Sequence, residues 1–319
     1  MNCRSIRYVA REHVEIIEIA VPDPSPGEVQ VRGLVCGVCA WDVHVYKNGP
    51  DSPIGAGHEG IGEVIKLGAG VTTLKEGDWV TGGGLGFSEY SNRPERGLYK
   101  LPAGTRKPEH FIVEPVACIV TGLDHCNLRA GDRVAVVGCG FMGLMFVQAL
   151  AHSLLDRLIA IDINPDRLNL ARRFGPTDCL DAKSLDEPAL RDLSIDTVVD
   201  CSGQQKGLEL SSRIVRKGGR LNLFGWNHGT ASFPGDIWHT HGLTIVNSAP
   251  NSAMRDPWPI AIRLLARGLI DLSPLVSHVV PLAEYPALLK RAADNDGTYL
   301  KGVVELKSAT IAEAGKICE

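Results

Sequence analysis

Arg133-Val-Ala-Val-Val-Gly138-Cys-Gly140-Phe141-Met142-Gly143 is the stretch that decides the fold. Residues 133–137 are a continuous apolar run that reads as a strand. Three glycines follow in the spacing Gly-x-Gly-x-x-Gly, and an amphipathic stretch at 144–153 reads as a helix. Strand, glycine loop and helix in that order are what give the motif meaning. The glycines permit a tight turn, close approach of the backbone to a pyrophosphate, and close helix–strand packing. The helix start, with Phe141 and Met142, offers free N–H groups and the positive end of a dipole to phosphates. Asp162 closes the next strand, about twenty residues further on, where an acid binds ribose hydroxyls of NAD and repels a 2′-phosphate. Arg167 follows closely and tempers that choice, so NAD is favoured over NADP. The competing reading is a plain tight turn followed by a loop acid.

Outward from this stretch the chain alternates. Residues 157–161 read as a strand, 165–174 as a helix, 197–200 as a strand, 207–215 as a helix, and 220–224 and 243–247 as strands. Such alternation predicts a doubly wound parallel sheet. A helix at 118–124 precedes it. The first third differs: 14–20, 28–35, 60–66 and 79–81 read as short strands between Pro- and Gly-rich turns, with little helix. After residue 255 come helical patterns at 257–267 and 283–294 and a strand at 301–306. The expected class is α/β plus β: a β-rich domain over 1–117, a dinucleotide-binding domain over 118–255, and a return to the first domain over 256–319.

Composition agrees with two soluble domains. The chain has 319 residues, 44% hydrophobic and 22% charged. Thirty-three Lys and Arg against 37 Asp and Glu give a net charge of −4, which argues against a nucleic-acid partner. No apolar run nears the roughly 20 residues of a membrane helix, and the start shows no signal-peptide pattern. Nine cysteines, an odd number in a long chain, fit free thiols and a reducing cytoplasm better than a disulfide framework.

Three segments carry metal-ligand chemistry: Cys36-Gly-Val-Cys39-Ala-Trp41-Asp42-Val-His44, Gly57-His58-Glu59, and Glu114-Pro-Val-Ala-Cys118. Zinc takes thiolate, imidazole and carboxylate, and a catalytic site keeps one position open. Cys39, His58 and either Glu59 or Glu114 would supply such a set. Cys36 and Cys39 form a CxxC, but the absence of a second one excludes a four-cysteine ribbon. His58 as an ordinary structural histidine remains open on spacing alone.

The segments together resemble the zinc-dependent medium-chain dehydrogenase/reductase superfamily, the alcohol and polyol dehydrogenases. The match runs through PxPxPGEVxV, GxCAxDxH, GHEGxGxV, GDxV, EPxAC, GxGxxG, DxNPxRL and DCSG, and covers nearly the whole chain. The resemblance implies a GroES-like catalytic domain built from both chain ends, with a Rossmann domain inserted. It implies one catalytic zinc on Cys39 and His58, with Glu59 and Glu114 as exchangeable carboxylates. Cys118 is then a packed helix residue, and His44 matches the histidine near the nicotinamide ribose. The implied activity is reversible oxidation of a secondary alcohol, a polyol, sugar or cyclitol, by hydride transfer to NAD. The implied assembly is a homodimer or homotetramer through 243–247.

Two departures stand out. No cysteine lies between Gly77-Asp-Trp-Val and Phe87-Ser-Glu-Tyr, so the four-cysteine lobe and its structural zinc are expected to be absent. Trp41 occupies the place where the family carries Ser or Thr to relay the substrate proton, and an indole cannot accept one. Either the proton leaves through water, Glu59 or His44, or the activity is weakened; Trp41 also reads as a wall of the substrate pocket. Three further readings stay open. One is a zinc-free quinone or enone reductase, which predicts no Cys, His, Glu set. The others are a non-catalytic dinucleotide-binding homologue and a biosynthetic dehydrogenase with one bulky substrate. Asn227-His228 and the histidines at 239 and 241 read as solvated loop residues, and 308–319 as an extra tail.

Overall fold

The computed structural model describes residues 1–186, 188, 192–295 and 297–306. The tail at 308–319 lies outside the described residues. Among those described, two compact units form: Met1–Glu114 with the residues from Leu272 onward, and Pro115–Asp271.

The first unit opens with β1 (Asn2–Ala10), β2 (His13–Ala20) and β3 (Glu28–Gly37), followed by α1 (Ala40–Asn48). Then come β4 (Ile54–Gly55), β5 (Glu59–Leu67), β6 (Trp79–Gly82), β7 (Tyr90–Pro94) and β8 (Leu98–Lys100). The helix α1 departs from the expectation of little helix here. It carries no long apolar stripe. Its start is set instead by Asp42, whose carboxylate accepts the N–H of the N-cap residue Cys39 at 2.7 Å, one half of a capping box. The segment 40–48 is thus specified by its cap.

The second unit begins in α2 (Val113–Cys126) and runs through β9 (Arg133–Val137), α3 (Phe141–Leu150), β10 (Arg157–Asp162), α4 (Pro165–Arg172), β11 (Asp178–Asp181) and β12 (Ile195–Asp200). It continues through α5 (Gln205–Ile214), β13 (Val215–Leu223), α6 (Gly235–His241), β14 (Thr244–Asn247) and α7 (Trp258–Ala266). The chain then returns to the first unit with β15 (His278–Pro281), α8 (Tyr285–Asp294) and β16 (Gly302–Glu305). The return falls at Leu272, later than the residue 256 read from sequence. Residues 256–271 stay with the second unit because their flanks are tied there. Arg255 pairs with Asp124, and Gln148 exchanges two hydrogen bonds with the backbone of Asp271. His239 and His241 lie on α6 rather than in a loop.

In the second unit six parallel strands take the order β11-β10-β9-β12-β13-β14. This is the doubly wound Rossmann order, with the direction of winding reversing at β9 and β12. Val134, Ala135 and Val136 are fully buried, as a central parallel strand covered on both faces requires.

The first unit holds a three-stranded sheet, β2-β1-β4, and a seven-stranded one in the order β15-β16-β3-β5-β6-β8 with β7 paired to β3. Gly37 at the end of β3 faces Glu59 of β5 on one side and Val303 of β16 on the other. Chain ends distant in sequence therefore meet at one strand terminus. Beside it lies a buried cluster of Ile6, Tyr8, Val38, Val45, Phe87 and Tyr285. No helix among the described residues is long and apolar enough to cross a membrane.

Candidate active site

Among its described residues the first unit gathers one set of metal-type donors. Ligand atoms of Cys39, His58 and Glu59 all lie within 4.8 Å of one another. Cys39 caps α1, and His58 and Glu59 sit at the start of β5. Glu59 is only 2% exposed. Gly37 makes room for it, since a Cβ at Gly37 would collide with Oε2 of Glu59.

Lys301 stands behind this carboxylate, 3% exposed. Its Nζ donates to the carbonyl of Val38 at 2.8 Å and lies 2.5 Å from Oε2 of Glu59. The second contact is an ion pair between two buried side chains. Burial by itself would lower the ammonium pKa, but the facing charges of Glu59 and Cys39 outweigh it and hold Lys301 well above its ordinary value. Burial pushes the Cys39 thiol up, and the charge of Glu59 adds to that. A thiol, an imidazole and a buried carboxylate with their ligand atoms this close together form a donor set suited to a divalent cation. The residues fit zinc by ligand type and number, three donors with a fourth position for substrate.

Asp42 is fully buried. Its Oδ2 accepts the Cys39 N–H, and its Oδ1 accepts the hydroxyl of Tyr8 at 2.9 Å. Burial pushes its pKa up to about 6 against the pull of the Cys39 N–H, the charge of His58 and the Tyr8 hydroxyl. Trp41 meets Tyr8 edge-on at a centroid distance of 6.2 Å and His58 at 6.0 Å. Its ring is thus packed between a core tyrosine and a donor histidine.

Not every expected residue joins the cluster. Glu114, the second residue of α2, stands outside the 4.8 Å group, although its charge contributes to raising the Cys39 thiol. His44 lies on α1, with the Asn48 amide 3.1 Å from its Nδ1. Cys36 is buried in β3, one strand position from Gly37. Sequence reasoning missed Lys301, Tyr8 and Tyr285. No local motif surrounds any of them, and only the register of β16 on β3 and the packing of β1 and α8 bring them in.

The second unit presents the glycine loop. A Cβ on Gly143 would collide with the carbonyl oxygen of Gly138, so any side chain there forces the turn to shift. Gly138 itself has φ +94°, and a Cβ there would come within 2.9 Å of the backbone of Ser202. Gly140 caps α3 in extended conformation and faces open space, with Nη1 of Arg167 as its one neighbour, at 3.8 Å from where a Cβ would stand. Phe141 and Met142 follow as the first helical residues. Asp162 is 7% exposed and accepts the N–H of Cys139 at 2.6 Å and that of Asn164 at 2.8 Å, one on each oxygen. A carboxylate has about four acceptor positions, so two remain for further donors. The loop thus joins an N-terminal helix dipole, a guanidinium and a buried acid.

Comparison with known proteins agrees with both halves. The family model of the alcohol dehydrogenase GroES-like domain matches residues 25–103, and that of the zinc-binding dehydrogenase matches 142–267. An L-threonine 3-dehydrogenase from Bacillus licheniformis is 30% identical over 84% of this chain and 88% of its own length. A (R,R)-butanediol dehydrogenase from Bacillus subtilis is 26% identical over 88% and 92%. The crystal structure of L-idonate 5-dehydrogenase from Escherichia coli superposes with a TM-score of 0.87 at 20% identity, covering 96% of this chain and 98% of that one. A Rossmann unit and a GroES-like unit carrying a thiol, imidazole and carboxylate cluster define an oxidoreductase architecture. The chain belongs to the zinc-dependent medium-chain dehydrogenase/reductase superfamily.

Proposed function

We propose that the protein is a zinc-dependent dehydrogenase that moves a hydride between NAD(H) and a secondary alcohol, within the polyol, sugar or cyclitol class. The observation that carries this reading is the convergence of Cys39, His58 and Glu59 within 4.8 Å. Two relatives bear names of secondary-alcohol substrates, threonine at its 3-position and butanediol. Zinc held there would act as a Lewis acid and lower the pKa of a substrate hydroxyl.

Each residue has a part. Cys39, His58 and Glu59 would hold the metal, with Glu114 as the exchangeable carboxylate. Lys301 stands as the buried countercharge of Glu59 and holds it in place. His44 or water carries the substrate proton, because the Trp41 indole accepts none; Trp41 is a wall for substrate. In the second unit Gly138, Gly140 and Gly143, with the N–H groups at Phe141 and Met142, receive the pyrophosphate, aided by Arg167. Asp162 accepts the ribose hydroxyls and favours NAD. The reading gives the short segment between β6 and β7 no structural zinc. A reducing cytoplasm as the compartment belongs to the same reading. A homodimer or homotetramer through the exposed edge strand β14 completes the reading, with the first unit as the catalytic domain and the second as the cofactor domain.

NADH formation by the purified protein across alcohols, polyols and cyclitols tests the proposal, with NADP in parallel and with or without a zinc chelator. Turnover that prefers NAD and stops with chelator is the expected result. Turnover indifferent to chelator overturns the metal assignment. Trp41 in the relay position favours one second reading, a dinucleotide-binding protein without turnover. Stoichiometric metal and NADH binding with no activity on any alcohol would establish it.

A further inference from the structure

Two tyrosines lie deep in the first unit with their hydroxyls in contact. Tyr8 of β1 and Tyr285 of α8 are both fully buried, and their oxygens are 2.5 Å apart. A buried phenol without a partner is costly, so the question is where the two protons go. Tyr8 gives its single proton to Oδ1 of Asp42. A phenol has one O–H to donate, so Tyr285 must be the donor in the pair and Tyr8 the acceptor. The other carboxylate oxygen of Asp42 accepts the N–H of Cys39. A directional chain results: Tyr285 to Tyr8 to Asp42, with Cys39 N–H closing on the far oxygen.

The geometry of this chain exceeds what capping a helix needs. Asp42 would complete half a capping box with Cys39 alone. The tyrosines instead fix the second oxygen and so the rotation of the carboxylate. They come from β1 and α8, which are 277 positions apart in the chain. Tyr8 also packs on Trp41, and Trp41 packs edge-on against His58, so the same phenol backs two of the three donors. Phe87 packs on Tyr285 with centroids 4.4 Å apart and holds the far end of the chain.

We infer that Tyr8 and Tyr285 are positioning residues for the metal-binding cysteine. They lock Asp42, and through it the backbone at Cys39, in the orientation that presents its sulfur beside His58 and Glu59. The inference rests on the metal reading above. It predicts that the two hydroxyls set how firmly the site holds its metal, independently of how stable the fold is.

The test is metal binding by full-length Tyr8→Phe and Tyr285→Phe proteins, stripped of metal and titrated with cobalt(II) alone. The thiolate-to-cobalt absorption reports the Cys39 bond, and the rate of zinc transfer to a chelator reports retention. Thermal melting of the metal-free proteins and NADH binding report the fold. Loss of an outer hydrogen bond at a metal site costs about 10- to 100-fold in affinity. Tyr8→Phe removes both links of the chain and is expected to speed zinc loss by about tenfold and to shift the cobalt band. Tyr285→Phe leaves Tyr8 bonded to Asp42 and is expected to have a smaller effect in the same direction. Should Tyr8→Phe fail to fold, Tyr285→Phe carries the test. Wild-type cobalt uptake with unchanged band and release rate in the folded variants overturns the inference alone, and a lowered melting temperature without faster zinc loss does the same. A wild-type protein that takes up no cobalt overturns the metal reading and this inference with it.

Discussion

The candidate dinucleotide site and the proposed metal site of this chain are built in opposite ways. In the second unit β9, the glycine loop, α3 and Asp162 follow one another within a single run of residues 133–162. Its contacts are local: Gly143 against Gly138, Cys139 N–H on Asp162, Gly138 against the neighbouring strand end. In the first unit the donors come from Cys39, His58 and Glu59, but their supports come from β1, α8 and Lys301 beside β16. A local site tolerates change elsewhere, whereas a site assembled from both chain ends depends on long-range register. The two should therefore fail separately.

The largest expected effect lies in the long-range half. Lys301→Met would leave Glu59 buried without its countercharge. Removing one partner of a buried pair costs about 3–5 kcal/mol. Chemical denaturation of the metal-free protein should show a loss of that order, and addition of zinc should recover part of it. An unchanged midpoint would mean that Glu59 is not held by Lys301, and the contrast between the halves would weaken.

A second experiment separates the sites directly. Cys39→Ser and His58→Gln are each expected to lower alcohol oxidation by more than about 100-fold, the upper end for loss of a mere outer-sphere partner. NADH affinity, measured by fluorescence titration, should stay within a factor of about two, because the glycine loop makes no use of either residue. Parallel loss of NADH binding would break the comparison.

The smallest effect is the mirror image. Gly143→Ala forces a Cβ onto the carbonyl of Gly138. Overpacking of this kind costs about 1–3 kcal/mol. It should weaken NADH binding while cobalt uptake at Cys39 stays intact. If cobalt uptake falls as well, the units are more interdependent than their separate construction suggests.

The same contrast explains what could be read in advance. The strand over Arg133–Val137 was legible to the residue, since a fully buried parallel strand is an unbroken apolar run. The glycine loop and Asp162 were legible because their spacing is dictated by one turn. Cys39, His58 and Glu59 were legible as ligand types, but spacing alone left Glu59 and Glu114 tied. The structure brings Glu59 into the donor group and leaves Glu114 outside it. The helix α1 escaped because its specification is a cap rather than a periodic stripe. Residues 256–271 read as part of the first unit because their anchors in the second, Asp124 and Gln148, are over 120 positions away.

Sequence by itself determined the doubly wound sheet, the glycine loop between its first strand and helix, and the chemical types of the candidate donors, because each depends on residues a few positions apart. Tertiary structure alone decided which carboxylate stands with Cys39 and His58, and which groups hold it there. Gly37 faces Glu59 only through the register of β3 on β5. Lys301 reaches that carboxylate only because β16 pairs with the other edge of β3. Tyr8 and Tyr285 touch only because β1 and α8 share one core. Cross-strand neighbours and core partners leave no periodic trace along the chain, so no local pattern could have announced them.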